Sequence, residues 1–144
     1  PARLVWLMAV DGASALHEWG NSLTSLVGSG RPLAKGFMRS RPRSPGRSCY
    51  ATVAVDDTPD GLDAEGTTSA FGMTITVWSA TDRESSRQAA VALVDELRAL
   101  SRNTPTVGST RLLMAAPVGW PEFVEDDSGE FRHTVETTIY AAPA

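Results

Sequence analysis

The side chains that could act as nucleophiles or proton carriers in this sequence are few and widely separated. The two histidines, His17 and His133, fall in a predicted helix and a predicted strand, and no Gly-x-Ser-x-Gly elbow accompanies them. Basic residues precede the single cysteine, Cys49, and could lower its pKa, but a lone cysteine beside a strand is more often core. We therefore expect no catalytic residue, with His17 facing solvent, His133 half-buried and Cys49 in the core.

The segments that could hold a metal ion or a phosphate group are incomplete. Residues 56–60 begin like a calcium loop, but position twelve would be Thr67 rather than a bidentate Glu. Gly28-Ser29-Gly30 followed by Lys35 lacks the Gly-Lys-Ser/Thr ending of a phosphate loop. The sequence therefore predicts no metal, no nucleotide and no other cofactor.

Charged residues are gathered into three blocks, each of one sign. Residues 31–47 carry six cations and no acid, residues 56–65 carry five acids and no base, and residues 122–130 carry five acids with no base. Opposed blocks of this kind are suited to charge-complementary contacts. The candidate assembly-contact residues are Arg39, Arg41, Arg43, Arg47, Asp56, Asp57, Glu125, Asp126 and Asp127.

The basic block could grip either phosphates or an acidic protein surface. Nucleic-acid binders usually interleave aromatic residues with their cations, and Phe37 is the only aromatic residue in this block. We therefore favour a protein contact, in which the basic loop meets an acidic block of a neighbouring subunit or layer. Its Pro, Gly and Ser content predicts that the loop is disordered in an isolated subunit.

The length and the composition of the chain limit the class of protein to which it can belong. A chain of 144 residues with 42% hydrophobic content is enough for one domain, made of a helical segment (1–28), a basic loop (29–48) and an α/β core (49–142). The single cysteine fits folding in a reducing cytoplasm. The apolar run Leu4–Val10 is too short to span a bilayer, so we expect no membrane role.

Hydrophobic periodicity predicts two helices. Apolar residues from Leu16 to Val27 recur at three and four positions, which favours an N-terminal helix ending near Gly28. A second helix runs from Asp82 to about Leu100, with Thr81 and Glu84 forming a capping box at its start. Its apolar stripe is formed by Ala90, Leu93, Val94, Leu97 and Leu100.

Strands are predicted from β-branched content and period-2 alternation. The segments are Tyr50–Val55, Phe71–Val77, a short buried strand at 111–118, and a hairpin whose arms are 123–125 and 131–140. A short edge strand at 36–40 is a further option. The predicted fold is α+β: a mixed, mostly antiparallel sheet of about four to five strands, packed by the N-terminal helix and the central amphipathic helix.

The order of these elements resembles the phage tail-completion family, which includes the tail terminator proteins of long-tailed phages. The strand led by Tyr50-Ala51-Thr52-Val53 precedes an acidic loop. The strand ending TITVWS at 74–79 resembles the family's V-W-S strand end, which leads into the helix. The hairpin 123–141, with an acidic-Gly turn and the step Arg132-His133, resembles the family's closing strands. The resemblance covers about two thirds of the chain, and the Arg-rich loop is longer and more basic than the family pattern.

The resemblance implies a non-enzymatic virion protein, made in the host cytoplasm and placed at the tail or neck. Such a protein forms a ring, expected to be a homohexamer, on the head-proximal end of the tail tube. Its partners would be further copies of itself, the tail tube protein and the head-completion (stopper) protein, with genomic DNA only passing through the lumen. Two alternatives stay open: a head-completion or neck connector protein, and a small nucleic-acid-binding accessory protein.

Overall fold

The described residues build one antiparallel sheet, and both helices among them lie on the same face of it. The computed structural model describes residues 12–42, 48–55, 60–61, 68–124 and 129–144, with the backbone alone for 60–61. The described helices are α1 (Gly12–Ser22) and α2 (Arg83–Asn103), and the described strands are β1 (Tyr50–Val55), β2 (Asp60–Gly61), β3 (Ser69–Ser79), β4 (Thr106–Val107), β5 (Thr110–Val124) and β6 (Phe131–Pro143). The apolar run Leu4–Val10 lies outside the described residues.

The sheet has the order β1-β3-β6-β5-β4, with β2 pairing to β3. Every strand pair within it is antiparallel, and only two isolated bridges outside the strands are parallel. The α+β prediction is confirmed, although the described sheet has six strands, two of which contain only two residues each. β1 and most of β5 therefore form the two opposite edges of the sheet.

The core lies between α2 and the inner face of the sheet. The predicted stripe of α2 is buried throughout, at Ala90, Leu93, Val94, Leu97 and Leu100. It packs on alternate residues of the central strands, which include Ile75 and Val77 of β3 and Val135 and Ile139 of β6. Burying one side chain of this size stabilises the fold by roughly 1.5–3 kcal/mol. The apolar residues that recur every 3.6 positions in α2 and every second position in the strands thus form one hydrophobic layer.

The start of α2 differs in one detail from the predicted capping box. Asp82, not Thr81, is the N-cap residue, and its Oδ1 accepts a hydrogen bond of 2.8 Å from the backbone N–H of Ser85. The Thr81 hydroxyl lies 3.0 Å from the hydroxyl of Ser79 instead. The helix continues three residues past the predicted end and stops where Thr104 adopts a left-handed conformation, with φ at 37°. The Asp82 side chain thus satisfies a free backbone donor of the first turn one residue later than a Thr81 cap would.

The N-terminal helix ends earlier than predicted. α1 stops at Ser22, whose hydroxyl donates to the carbonyl of Trp19 at 2.6 Å, a local bond that competes with helix propagation. The apolar residues that follow still reach the core through turns rather than helix. Leu26 is buried, and its carbonyl accepts the backbone N–H of Leu33 at 2.8 Å.

The described part of the basic loop is folded, so the expectation of a disordered loop is wrong for residues 29–42. Two of its few apolar side chains, Leu33 and Phe37, are buried in the core. The side chain of Asn21 brackets the backbone of Phe37, because its Oδ1 accepts the Phe37 N–H at 2.7 Å and its amide donates to the Phe37 carbonyl at 3.1 Å. The segment then touches β1 through a parallel bridge between Phe37 and Ala51, so the predicted edge strand at 36–40 is reduced to one bridge.

The strand predicted at 111–118 is longer and less buried than expected. β5 runs for 15 residues and includes residues 123 and 124 of the predicted hairpin arm, while residue 125 lies outside the described ranges. Register shifts against β6 interrupt it between Leu112 and Met114 and again between Val118 and Glu122. The second shift accommodates the Gly and Pro residues that made the sequence look like two separate strands.

Gly20 gives a direct test of the contact between α1 and the basic loop. A Cβ at this position would overlap the ring of Phe37, which is buried in the core. Gly20→Ala should therefore lower the free energy of unfolding by about 1–3 kcal/mol, although Ala is the better helix former. Urea denaturation measures this change. Glu18→Ala, an exposed change in the same helix, should stay within about 0.5 kcal/mol of the parent, and a Gly20→Ala variant as stable as the parent would refute the contact.

Candidate assembly surface

No described helix covers the second face of the sheet, which we call the open face. Strand register places side chains on it in rows that cross β1, β3 and β6. One row is Thr52, Thr76 and Thr134, and the next is Ala54, Thr74 and Glu136. These side chains are small or polar and are exposed or half-buried. The open face is therefore a solvated surface on a rigid sheet.

One end of the open face is closed by aromatic and charged side chains, which we call the Trp78 cluster: Arg41, Tyr50, Trp78, Glu130 and Arg132. Tyr50 and Trp78 are opposite each other in the β1–β3 ladder, and their rings stack with centroids 6.1 Å apart. The guanidinium of Arg41 lies 4.1 Å from the Trp78 ring centroid, and that of Arg132 lies 5.4 Å from it. Both aromatic residues are buried as a result, although they point away from the helices.

An ion pair within the chain links the basic loop to the third acidic block. Arg41 donates to Glu130 at 2.5 Å, and the Tyr50 hydroxyl donates to the other oxygen of Glu130 at 3.0 Å. The hydrogen bond to Glu130 raises the pKa of Arg41 above its usual value, while burial is the main cause that raises the pKa of Tyr50. The sequence predicted a contact with a neighbouring subunit or layer, but the acidic partner of Arg41 lies in the same chain.

The remaining candidate contact residues are placed as follows. Arg39 is exposed beside β1, and Arg41 lies in the Trp78 cluster with its side chain 38% exposed. The other candidates lie outside the described residues: Arg43, Arg47, Asp56, Asp57, Glu125, Asp126 and Asp127. Of the two described candidates, Arg41 thus forms an ion pair with Glu130, and Arg39 lies exposed on the surface.

A serine and a histidine meet in the interior, but they cannot reach a substrate. The hydroxyl of Ser86 lies 2.7 Å from Nδ1 of His133 and donates to the Arg83 carbonyl at 2.9 Å. His133 is only 2% exposed, so the expectation that it is half-buried is wrong. The first turn of α2 covers it from one side and the Phe123 ring, at 5.3 Å, from another. The pair ties α2 to the β5–β6 hairpin.

The other two reactive side chains are also part of the packing. His17 is half-buried rather than solvent-facing, because its ring meets Phe37 edge-on with centroids 6.2 Å apart. Cys49 is buried, as predicted, and burial raises its pKa, which keeps the thiol protonated and unreactive. In the described ranges, no three His, Cys, Asp or Glu side chains lie close enough to hold a metal ion. None of the described helices has the length and apolar character needed to cross a bilayer.

The sequence reasoning missed the apolar residues that β5 exposes. Trp120 is 70% exposed and Val118 is 65% exposed, with Met114 also on the surface. A signal was present in the triplet Gly119-Trp120-Pro121, because a strand interrupted by Gly and Pro often turns a side chain outward. These residues are the largest exposed apolar groups that the described chain presents, together with Val55 at the end of β1.

Comparison with known proteins gives a structural match and no sequence match. A scan of protein families finds no match, and neither does a search of curated proteins. The fold is similar to that of a chain solved in the virion of a native gene transfer agent particle. That similarity has a TM-score of 0.54 and 15% identity, and it covers 97% of this chain and 92% of the other. At this identity the match establishes a shared fold.

A second solved chain is more distant. It has a TM-score of 0.42 and 16% identity, and it covers 100% of this chain and 96% of the other. This similarity is too weak to support an argument.

The two histidines, of which His133 is buried and His17 half-buried, indicate how the free energy of unfolding depends on pH. Burial is the first cause that lowers the pKa of His133 below its ordinary 6.5, helped by Arg83 and Arg87 and opposed by Glu84. Burial and Arg39 lower the pKa of His17 in the same way. Well above pH 6.5 both histidines are neutral whether the chain is folded or not. As the pH is lowered through 6.5, the unfolded chain takes up protons that the folded chain resists, so the free energy of unfolding should decrease as the pH decreases.

Urea denaturation between about pH 7.5 and about pH 5 measures this slope. His133→Gln should remove part of it and leave the part that belongs to His17, while His17→Gln should do the reverse. The carboxylates of Asp82 and Glu84 have lowered pKa values and therefore act in a more acidic window. A His133→Gln variant with the slope of the parent would contradict the assignment.

Charge reversal separates the two described cations of the basic block. Arg41→Glu places a second carboxylate beside Glu130, so it should lower the free energy of unfolding by roughly 1 kcal/mol, the upper range for an exposed pair. Arg39→Glu carries the same change in charge at an exposed position and should leave thermal stability unchanged. Thermal unfolding followed by circular dichroism compares the two. Equal stability of both variants would mean that the Arg41–Glu130 pair contributes nothing to the fold.

Proposed function

We propose that this chain is a structural, non-enzymatic virion protein: a tail terminator that forms a ring on the head-proximal end of the phage tail tube and joins it to the head-completion protein. The observation that carries the proposal is the fold shared with a chain of the gene transfer agent virion over nearly the full length of both chains. The element order quoted from the sequence, strand, helix and closing hairpin, points to the same class.

The chemistry of the described side chains is consistent with a protein that works by contact. The Ser86–His133 pair is sealed in the core, and the thiol of Cys49 is buried with a raised pKa. What the sheet presents instead is a rigid open face, two edges and a set of exposed apolar and charged side chains. Surfaces of this kind support subunit contacts rather than bond-making.

Two alternative functions would give the chain a different location or a different partner. A head-completion or neck connector protein could use the same fold, because one small fold can serve neighbouring layers of an assembly. A nucleic-acid-binding role is less supported, since Arg41 already pairs with Glu130 and stacks on Trp78. In the proposed ring, DNA would pass through the lumen and would not be the main partner.

Tube polymerisation tests the proposal. The tail tube protein of the same particle is polymerised with and without this chain, and tube lengths are measured by negative-stain electron microscopy. A terminator should stop growth at one end and add a ring-shaped cap there, because it occupies the surface that the next tube subunit needs. The number of subunits in the cap gives the ring stoichiometry, for which six are expected.

Unchanged tube growth with no density at either end would reject the terminator role. Density on the head-side connector of the virion, with none on the tube, would assign the neck alternative. Binding to duplex DNA that weakens steeply with salt, and that is lost when Arg39 is replaced, would favour the nucleic-acid alternative.

A further inference from the structure

Trp120 projects from the edge of the sheet. It sits at the second register shift of β5, between Gly119 and Pro121, and its side chain is 70% exposed. The guanidinium of Arg98 on α2 lies 5.5 Å from its ring centroid and supports the ring from one side. An indole left in water in this way is costly for a lone subunit, and Trp is the residue most typical of interface hot spots.

The backbone on both sides of Trp120 is restricted. Gly119 has a φ of 69°, a left-handed conformation that other residues rarely adopt, and Pro121 has its φ fixed by its own ring. A restricted backbone loses less conformational entropy on binding than a flexible one. The bulge thus favours binding by a side chain that projects from it.

A cavity of suitable chemistry lies at the opposite edge of the same sheet. It has a volume of about 280 Å³ and is lined by residues of α1, of the basic loop and of β1, among them Ala13, His17, Met38, Arg39 and Val53. Ala13, Met38 and Val53 offer apolar walls. Arg39 offers a cation that can lie over an indole ring, and Met38 a sulfur that packs well on aromatic rings.

Charge supports the same pairing. Glu122 is exposed two residues after Trp120, and Arg39 is exposed at the mouth of the cavity. One edge of the sheet therefore carries Trp120, an aromatic knob, next to an acid, and the other edge carries a cavity of mixed polar and apolar lining next to a base. Because knob and cavity lie on different surfaces, one copy can donate its knob while accepting the knob of another, which is the head-to-tail contact that closes a ring.

We propose that Trp120 of one copy of this chain inserts into the cavity formed by Ala13, His17, Met38, Arg39 and Val53 of a second copy, with Glu122 pairing to Arg39. This inference rests on the proposed function in that it names the surfaces through which the proposed ring assembles. The contact is made by side chains and needs no main-chain pairing between the two sheet edges.

Self-association of the purified chain tests whether Trp120 contributes to the contact between two copies. Sedimentation velocity over a concentration series gives the association constant for the parent and for Trp120→Ala. The variant should associate at least about tenfold more weakly, the loss expected of a hot-spot residue. Met114→Ala is the matched control, since it removes another exposed apolar side chain of the same strand and should leave association unchanged. Far-UV circular dichroism confirms that each variant is folded. A Trp120→Ala variant that associates like the parent would overturn the proposal, as would a parent chain that stays monomeric at the highest concentration reached.

Charge exchange tests the register of the contact. Arg39→Glu and Glu122→Arg should each weaken association, and the double variant Arg39→Glu/Glu122→Arg should recover it. Arg102→Glu, at an exposed position of α2, controls for the change in net charge. A double variant no better than the single variants would reject the pairing of Glu122 with Arg39.

Cross-linking tests the head-to-tail arrangement. In a Cys49→Ala background, Arg39→Cys and Glu122→Cys are oxidised separately and as a mixture. Disulfide-linked dimers should form in the mixture and not in either variant alone, because the two positions meet only between different edges. Dimers in Glu122→Cys alone would mean that like edges meet, which contradicts the proposal.

These outcomes separate the contact from the function. If the chain self-associates through Trp120 but never caps tail tubes, the contact stands and the terminator role falls. If the chain caps tubes and Trp120→Ala caps them equally well with the same ring, the role stands and the contact falls.

Discussion

The packing of the α2 stripe on the inner face of β5, β6 and β3 is the interaction on which the rest of this structure depends. Leu93, Val94 and Leu97 belong to one buried cluster with alternate residues of these strands, and this layer fixes which face of the sheet is inside. Once that face is set, period-2 alternation sends every other side chain to the open face. The rows of threonines, the Trp78 cluster and the exposed edge of β5 are all positioned by this one contact.

Most of this framework could be read from the sequence, because it depends on local periodicity. The stripe of α2, the alternation of β3 and β6, and the hairpin all follow from patterns within a few residues. The errors lie where distant residues decide the outcome. The folding of the basic loop onto α1 involves Asn21 and the backbone of Phe37, a contact between residues 16 positions apart that no periodicity reports.

The surface was harder to predict than the core for the same reason. The sequence marked blocks of charge, but it could not show that Arg41 reaches Glu130, 89 residues away, over the ring of Trp78. Nor could it show that β5 continues through Gly119 and leaves Trp120 in solvent. Each of these features arises where strands from different parts of the chain become neighbours, so each depends on the fold being known first.

The two prolines of β5 have a consequence beyond geometry. A strand of 15 residues at the edge of a sheet, carrying exposed Val and Trp side chains, is the kind of segment that templates runaway cross-β growth. Pro117 and Pro121 supply no N–H, and the shifted register around Gly119 bends the strand between them. These breaks interrupt the row of main-chain donors along the strand, so they disfavour edge-to-edge pairing between two copies of the chain.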